Sequence, residues 1–229
     1  MVFLTRPAED AARFLDMLDG DFDAQVSPVF TVRFHENKLD FTPDEALIFT
    51  STYGVDALTD DLTDRAAFCV GQKTLDHAIA RGCNATRGDG DADALIRHIM
   101  SQTKFTKFVH IRGQHTVGNI AGRLTGQGCP TSEVIAYDQV ENPIPENLQE
   151  TIEGRPGVIF PVFSARSAHI LCKWLVDFTV SPRFIAISPT VQAVILQSGL
   201  GPVTLAEAPN ALAMANAVSL ELATSREVE

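Results

Sequence analysis

The chain has 229 residues, more than one average domain and few for two of typical size, so two compact lobes of about a hundred residues fit it. Hydrophobic residues make up 45% and charged residues 21%, which supplies packed cores and excludes a disordered chain. A net charge of -11 excludes the basic surface that non-specific nucleic-acid binding needs.

Short β-rich runs alternate with helical patterns from the start: Val2 to Thr5 reads as a strand, and Ala8 to Leu18 as a helix with Ala11, Phe14, Leu15 and Leu18 on one face. Further strands are expected at 24–29, 46–50, 67–70, 83–87, 107–112, 131–137, 157–163, 184–187 and 202–206. Ten strands with helical crossovers predict an α/β fold with two parallel five-stranded sheets. The segments 30–35 and 136–141, with Arg33, Asp138 and Glu141, read as extended interdomain strands.

Apolar stretches such as 157–163 fall far short of the roughly 20 residues of a membrane span, and the N-terminal residues lack the pattern of a secretion signal. Cys69, Cys83, Cys129 and Cys172 form no C-x-x-C pair and read as free thiols, so a cytoplasmic location without membrane contact is expected. No heptad or obvious interface favours an oligomer, and a monomer is expected.

The chain also resembles itself. Residues 3–20 align with 109–126 at an offset of 106, placing Arg6 against Arg112 and Gly20 against Gly126. Residues 68–82 match 186–199, with Gly71 against Ser188 and Gly82 against Gly199 at an offset of 117, and residues 48–58 align with 161–171 at 113, Ser51 against Ser164. The order A, B, A′, B′ reads as a duplicated Rossmann-like unit, two strands in each A and three in each B. Any A with any B makes five strands, so the pattern allows two consecutive lobes or one lobe inserted into the other.

In open parallel sheets ligands bind beyond the carboxyl ends of the strands, where loops lead into helix N-termini. Those loops are Thr5-Arg6-Pro7, Thr50-Ser51-Thr52, Gly71-Gln72-Lys73-Thr74, Arg112-Gly113-Gln114, Ser164-Ala165-Arg166-Ser167 and Ser188-Pro189-Thr190. Helix capping explains each loop singly. Six loops of the same small, hydroxylated or basic chemistry point to binding of carboxylates or phosphates.

Phosphate-loop, dinucleotide and serine-hydrolase motifs are absent from the sequence. The histidines at 35, 77, 98, 110, 115 and 169 form no H-x-x-x-H pair, so no metal site is expected and most read as surface or structural. The acidic run 89–93 looks like a calcium loop, but Ala94 and Met100 occupy its glycine and final glutamate positions, and Asp91 reads better as a helix cap.

The motifs Leu4-Thr5-Arg6-Pro7, Ile48-Phe49-Thr50-Ser51, Val70-Gly71 with Thr74, Arg112-Gly113, a strand ending in Tyr137, and Phe163-Ser164 with Arg166-Ser167-Ala168 span nearly the whole chain. Their order and spacing resemble the uroporphyrinogen-III synthase family. The resemblance implies a lyase of haem biosynthesis, which closes hydroxymethylbilane to uroporphyrinogen III with loss of water and inversion of ring D through a spiro intermediate. It implies a linear tetrapyrrole substrate with carboxylate side chains, and no metal or organic cofactor.

The family's fold implies two similar Rossmann/flavodoxin-like three-layer lobes with parallel five-stranded sheets. One would take residues 1–31 plus 142–229 and the other 36–138, with linkers 31–35 and 137–141 as a two-stranded β-ladder. The motif carry-over implies Tyr137 as a proton donor to the departing hydroxyl; an interdomain packing tyrosine with a merely satisfied hydroxyl is the alternative. It implies substrate contacts from Thr5, Arg6, Pro7, Thr50, Ser51, Gly71, Thr74, Arg112, Gly113, Ser164, Arg166, Ser188 and Thr190. An acidic chain holding a polycarboxylate predicts locally positive cleft mouths.

Two residues depart from the pattern: Ser188 stands where glycine is common, and Ala165 where a proline usually follows the serine. A rival reading is a two-lobed ligand-binding or sensor protein without chemistry. Against it stand the missing secretion signal and the missing basic helix-turn-helix segment.

Overall fold

The computed structural model describes residues 1–36, 42, 44–88, 91–102, 107–153, 155, 157–179 and 182–226. In chain order the elements begin with β1 (Val2–Leu4), α1 (Ala8–Leu15), β2 (Ala24–Val26) and β3 (Phe30–Phe34). The middle holds β4 (Glu45–Phe49), α2 (Thr52–Asp56), β5 (Ala66–Cys69), α3 (Gln72–Ala80), β6 (Asn84–Arg87), α4 (Ala92–Ser101), β7 (Lys107–Gly113), α5 (Ile120–Gly126) and β8 (Thr131–Glu141). Then come α6 (Leu148–Glu153), β9 (Ile159–Val162), α7 (Ala165–Leu175), β10 (Arg183–Ala186), α8 (Pro189–Ser198), β11 (Val203–Leu205) and α9 (Ala211–Arg226). Among the described residues no helix is long and apolar enough to cross a membrane.

The chain divides into two compact units, Met1–Thr31 with Glu141–Glu229, and Val32–Val140. The first unit has a five-stranded parallel sheet ordered β11-β10-β9-β1-β2. Val2 and Leu4 face Ala11 and Phe14 of α1 and Met214 and Val218 of α9. Period-two alternation turns Phe3 to the other face, where its ring meets Phe160 at 5.0 Å and Phe160 meets Phe184 at 5.7 Å. Burial of each such ring is worth about 1.5–3 kcal/mol.

The second unit contains the sheet ordered β3-β8-β7-β4-β5-β6. Its central strand β4, Glu-Ala-Leu-Ile-Phe, is almost wholly buried, as a parallel strand covered on both faces must be. Ala46 and Ile48 pack with Leu95 and Ile99 of α4 and Leu124 of α5, whereas Leu47 and Phe49 pack with Val55 of α2 and Ala78 of α3.

The repeats keep their spacing in the elements. An offset of 117 carries Ala66–Cys69 of β5 onto Arg183–Ala186 of β10, and one of 113 carries Ser51 onto Ser164, each the N-cap of its helix. Read as β9, β10, β11, β1, β2 against β4, β5, β6, β7, β8, the two strand orders coincide. The offset of 106 holds for strands only. It would start α5 near residue 114, but Gly118 and Asn119 have φ of 87° and 42°, and left-handed backbone cannot belong to a right-handed helix. The helix therefore begins at Ile120.

The sequence predicts five strands per sheet and a separate ladder; the second sheet instead has six strands. β8 runs unbroken through eleven residues to Glu141, so the residues expected as a linker prolong a sheet strand. β3 covers its edge: His35 N donates to Ala136 O at 2.9 Å, and Asn142 N donates to Val29 O at 3.0 Å, a constant register sum that makes the pair antiparallel and the sheet mixed. Of the acidic run, Asp89 and Gly90 lie outside the described residues, while Asp91 caps α4 by accepting from Ala94 N at 2.7 Å.

Candidate active site

In each strand order the topological switch, where successive crossovers leave in opposite directions, is the crevice favoured for ligands. In the second unit it lies between β4 and β7, at Thr50-Ser51 and Gly113. In the first unit it lies between β1 and β9, at Thr5-Arg6-Pro7 and Phe163-Ser164.

Tyr137 projects from β8 beside the second unit's switch. Arg112 pairs with Ile135 but Gly113 with Tyr137, so Ala136 is an extra residue, and the bulge re-aims the tyrosine. Its ring lies against Gly113, where an added Cβ would stand 2.6 Å from Cε2 and 2.9 Å from Cζ. Gln114 N donates to Tyr137 O at 2.9 Å, which fixes the backbone on the other side. Tyr53 of α2 meets the ring edge-on with centroids 5.7 Å apart.

Only 6% of Tyr137 is exposed. Burial pushes its phenol above the usual value near 10, while hydrogen bonds from the Ser51 side chain and the Gly113 backbone N–H pull the other way. The phenol is therefore protonated at neutral pH.

Capping occupies several of the candidate serines. The side chain of Ser51 accepts from Tyr53 N at 3.3 Å, that of Ser164 from Ser167 N at 3.0 Å, and that of Ser188 from Val191 N at 3.4 Å. Gly71 opens α3 with no side-chain cap and with open space where a Cβ would be. Thr5 and Thr74 are buried, and Thr190 is exposed in the first turn of α8.

The three candidate arginines differ in setting. The Arg6 guanidinium lies 3.9 Å over the Phe163 ring and 3.6 Å from Asp10, which joins both sides of the first unit's switch. Arg166 is half-buried in the first turn of α7, and Pro7 occupies the N-cap position of α1. Arg112 is committed within its own unit: Nε and Nη2 donate to Glu133 at 2.9 and 3.2 Å, and Nη1 donates to Gly113 O at 2.9 Å.

Sequence reasoning passed over His110, Glu133 and Tyr53. His110 is 1% exposed in the middle of β7, 3.5 Å from Thr50 Oγ1 and 3.6 Å from Glu133 Oε1. Burial pushes its pKa down to about 4, against the opposing pull of Glu133. Its one sequence signal is an imidazole inside an apolar strand, Phe108-Val109-His110-Ile111.

Solved structures share the fold. A uroporphyrinogen-III synthetase from Helicobacter pylori 26695 superimposes with a TM-score of 0.67 at 16% identity, covering 98% of each chain. A mutant uroporphyrinogen III synthase from the extremely thermophilic bacterium Thermus thermophilus gives 0.57 at 14% identity, covering 97% of this chain and 98% of that one. No curated protein matches the sequence. Residues 19–216, most of the chain, match the family described as uroporphyrinogen-III synthase HemD, and the chain belongs to that family.

Proposed function

We propose that the protein performs its family's reaction with Tyr137 as the acid at the second unit's switch point and with the helix-start loops holding substrate carboxylates. The reaction is the cyclisation of hydroxymethylbilane to uroporphyrinogen III, a lyase step of haem biosynthesis that expels water. On this reading the units are two similar lobes, 1–31 with 142–229 and 36–138, and the enzyme is a cytoplasmic monomer.

An electron-rich pyrrole expels its hydroxyl readily, so the enzyme's task is orientation: the substituted carbon of ring D must meet the reactive end before the free carbon does. The Tyr137 phenol gives its proton to the departing hydroxyl, whose conjugate acid, water, is far weaker, with a pKa near 15.7. Ser51 and the Gly113 N–H steady the phenolate, which recovers the proton that ring D loses when the macrocycle closes. Atoms balance with one water released.

Backbone N–H groups at the α3 start, with Gly71, suit a carboxylate. Thr50, Ser51, Thr74, Arg112 and Gly113 belong to this edge, and Thr5, Arg6, Pro7, Ser164, Arg166, Ser188 and Thr190 to the other unit's. The observation that carries the role of Tyr137 is its buried ring, turned onto Gly113 by the β8 bulge beside the second unit's switch. Purified protein given freshly generated hydroxymethylbilane is expected to yield uroporphyrinogen III. Isomer I alone, the spontaneous product, would overturn the reading.

A further inference from the structure

His110 stands across from Ile48 on β4 and Glu133 on β8. Its Nδ1 is buried and makes no hydrogen bond among the described residues; the polar group it faces is Glu133 Oε1, at 3.6 Å. Its Nε2 lies 3.5 Å from Thr50 Oγ1, so the imidazole stands between the Glu133 carboxylate and the Thr50 hydroxyl. An apolar side chain at this position would fill the strand without burying an unbonded nitrogen, so the imidazole is explained by what it orients.

Glu133 is itself held. The Arg112 fork binds both its oxygens, and the same guanidinium donates to the backbone oxygens of Gly113 and Gln114 at 2.9 and 3.4 Å. This connected group reaches Gly113 at one end and Thr50, the neighbour of Ser51, at the other. Gly113 lies directly against the Tyr137 ring, and the Gly113 backbone and the Ser51 side chain are the polar groups that act on its phenol.

We propose that His110, Glu133 and Arg112 are positioning residues, which set Gly113 and Thr50-Ser51 so that both donors converge on Tyr137. The functional half of this rests on the reading of Tyr137 as the acid; the structural half does not. On this assignment Arg112 serves the protein's own backbone rather than a substrate carboxylate.

The chain has two tyrosines, so carbon-13 labelling at tyrosine Cζ gives two NMR signals, which Tyr53→Phe assigns. Glu133→Gln, His110→Leu and Arg112→Lys are compared with the unaltered protein for circular dichroism, tyrosine titration, and kcat and KM on fresh hydroxymethylbilane. Folded variants are expected to shift the Tyr137 signal and raise its titration midpoint, because the lost donors favour the phenolate. The Tyr53 signal stays in place. The kcat is expected to fall about tenfold with KM changed less than about twofold, the mark of lost alignment rather than lost binding.

Any variant that folds decides the matter, and a Tyr137 signal and midpoint unchanged in the folded variants overturn the proposal. The titration needs no substrate. A wild-type protein that makes no uroporphyrinogen III therefore overturns the functional reading alone.

Discussion

Gly113 and Tyr137 are register partners across the β7–β8 bulge, and the tyrosine ring occupies the space where any side chain at 113 would begin. The contact sets the ring directly on the β7 backbone, so the glycine is required by the closeness of approach rather than by its backbone angles. Gly113→Ala is expected to push the ring away, at a cost of about 1–3 kcal/mol in stability. Urea unfolding measures that loss, and isomer analysis of the product should show turnover falling with it.

Tyr137→Phe keeps the ring and its packing on Tyr53 but removes the proton donor. Turnover is expected to fall by about a hundredfold, the lower end of what a positioned acid contributes, without vanishing, because orientation of the bilane persists. Steady-state kinetics on fresh hydroxymethylbilane check this. Wild-type rates in the variant would leave Tyr137 a packing residue only.

Acid should weaken the fold through His110. The imidazole is held near pKa 4 in the folded chain and returns to the usual 6.5 on unfolding, so between those values the unfolded state binds the extra proton. Stability from this residue is fully present above pH 6.5 and declines as pH falls towards 4, by about 3 kcal/mol in all. Urea titrations at several pH values should show this slope, and His110→Gln should flatten it.

Ser164→Ala is expected to destabilise α7 by about 1 kcal/mol, since the hydroxyl caps Ser167 N. The chain's one tryptophan, Trp174, is buried on the same helix, so its fluorescence reports the loss as a lowered urea midpoint. The tyrosine signals of the other unit should be unmoved, because both tyrosines lie in Val32–Val140.

The alternation of strands and helices was legible because each buried face writes its own period, as in Ala11 and Phe14 on α1. The serine N-caps at 51, 164 and 188 were legible because a helix start has a local chemical need. β3 was legible as a strand of a ladder with the residues after Tyr137, but not as the sixth member of a sheet, since that depends on β8 running on from the sheet into the ladder. Nor was the partner of Arg112: a guanidinium looks free in sequence until the register of β8 sets Glu133 beside it.

The sequence by itself determined the class of fold, the repeated strand and helix units and the family, because periodicity, caps and ordered motifs are local properties of the chain. Only tertiary structure decided the sixth strand, the bulge at Ala136 that turns Tyr137 onto Gly113, and the burial of His110 against Glu133 and Thr50. Those depend on which strands lie side by side and in what register, and pairing between residues far apart in the chain leaves no mark on either one alone.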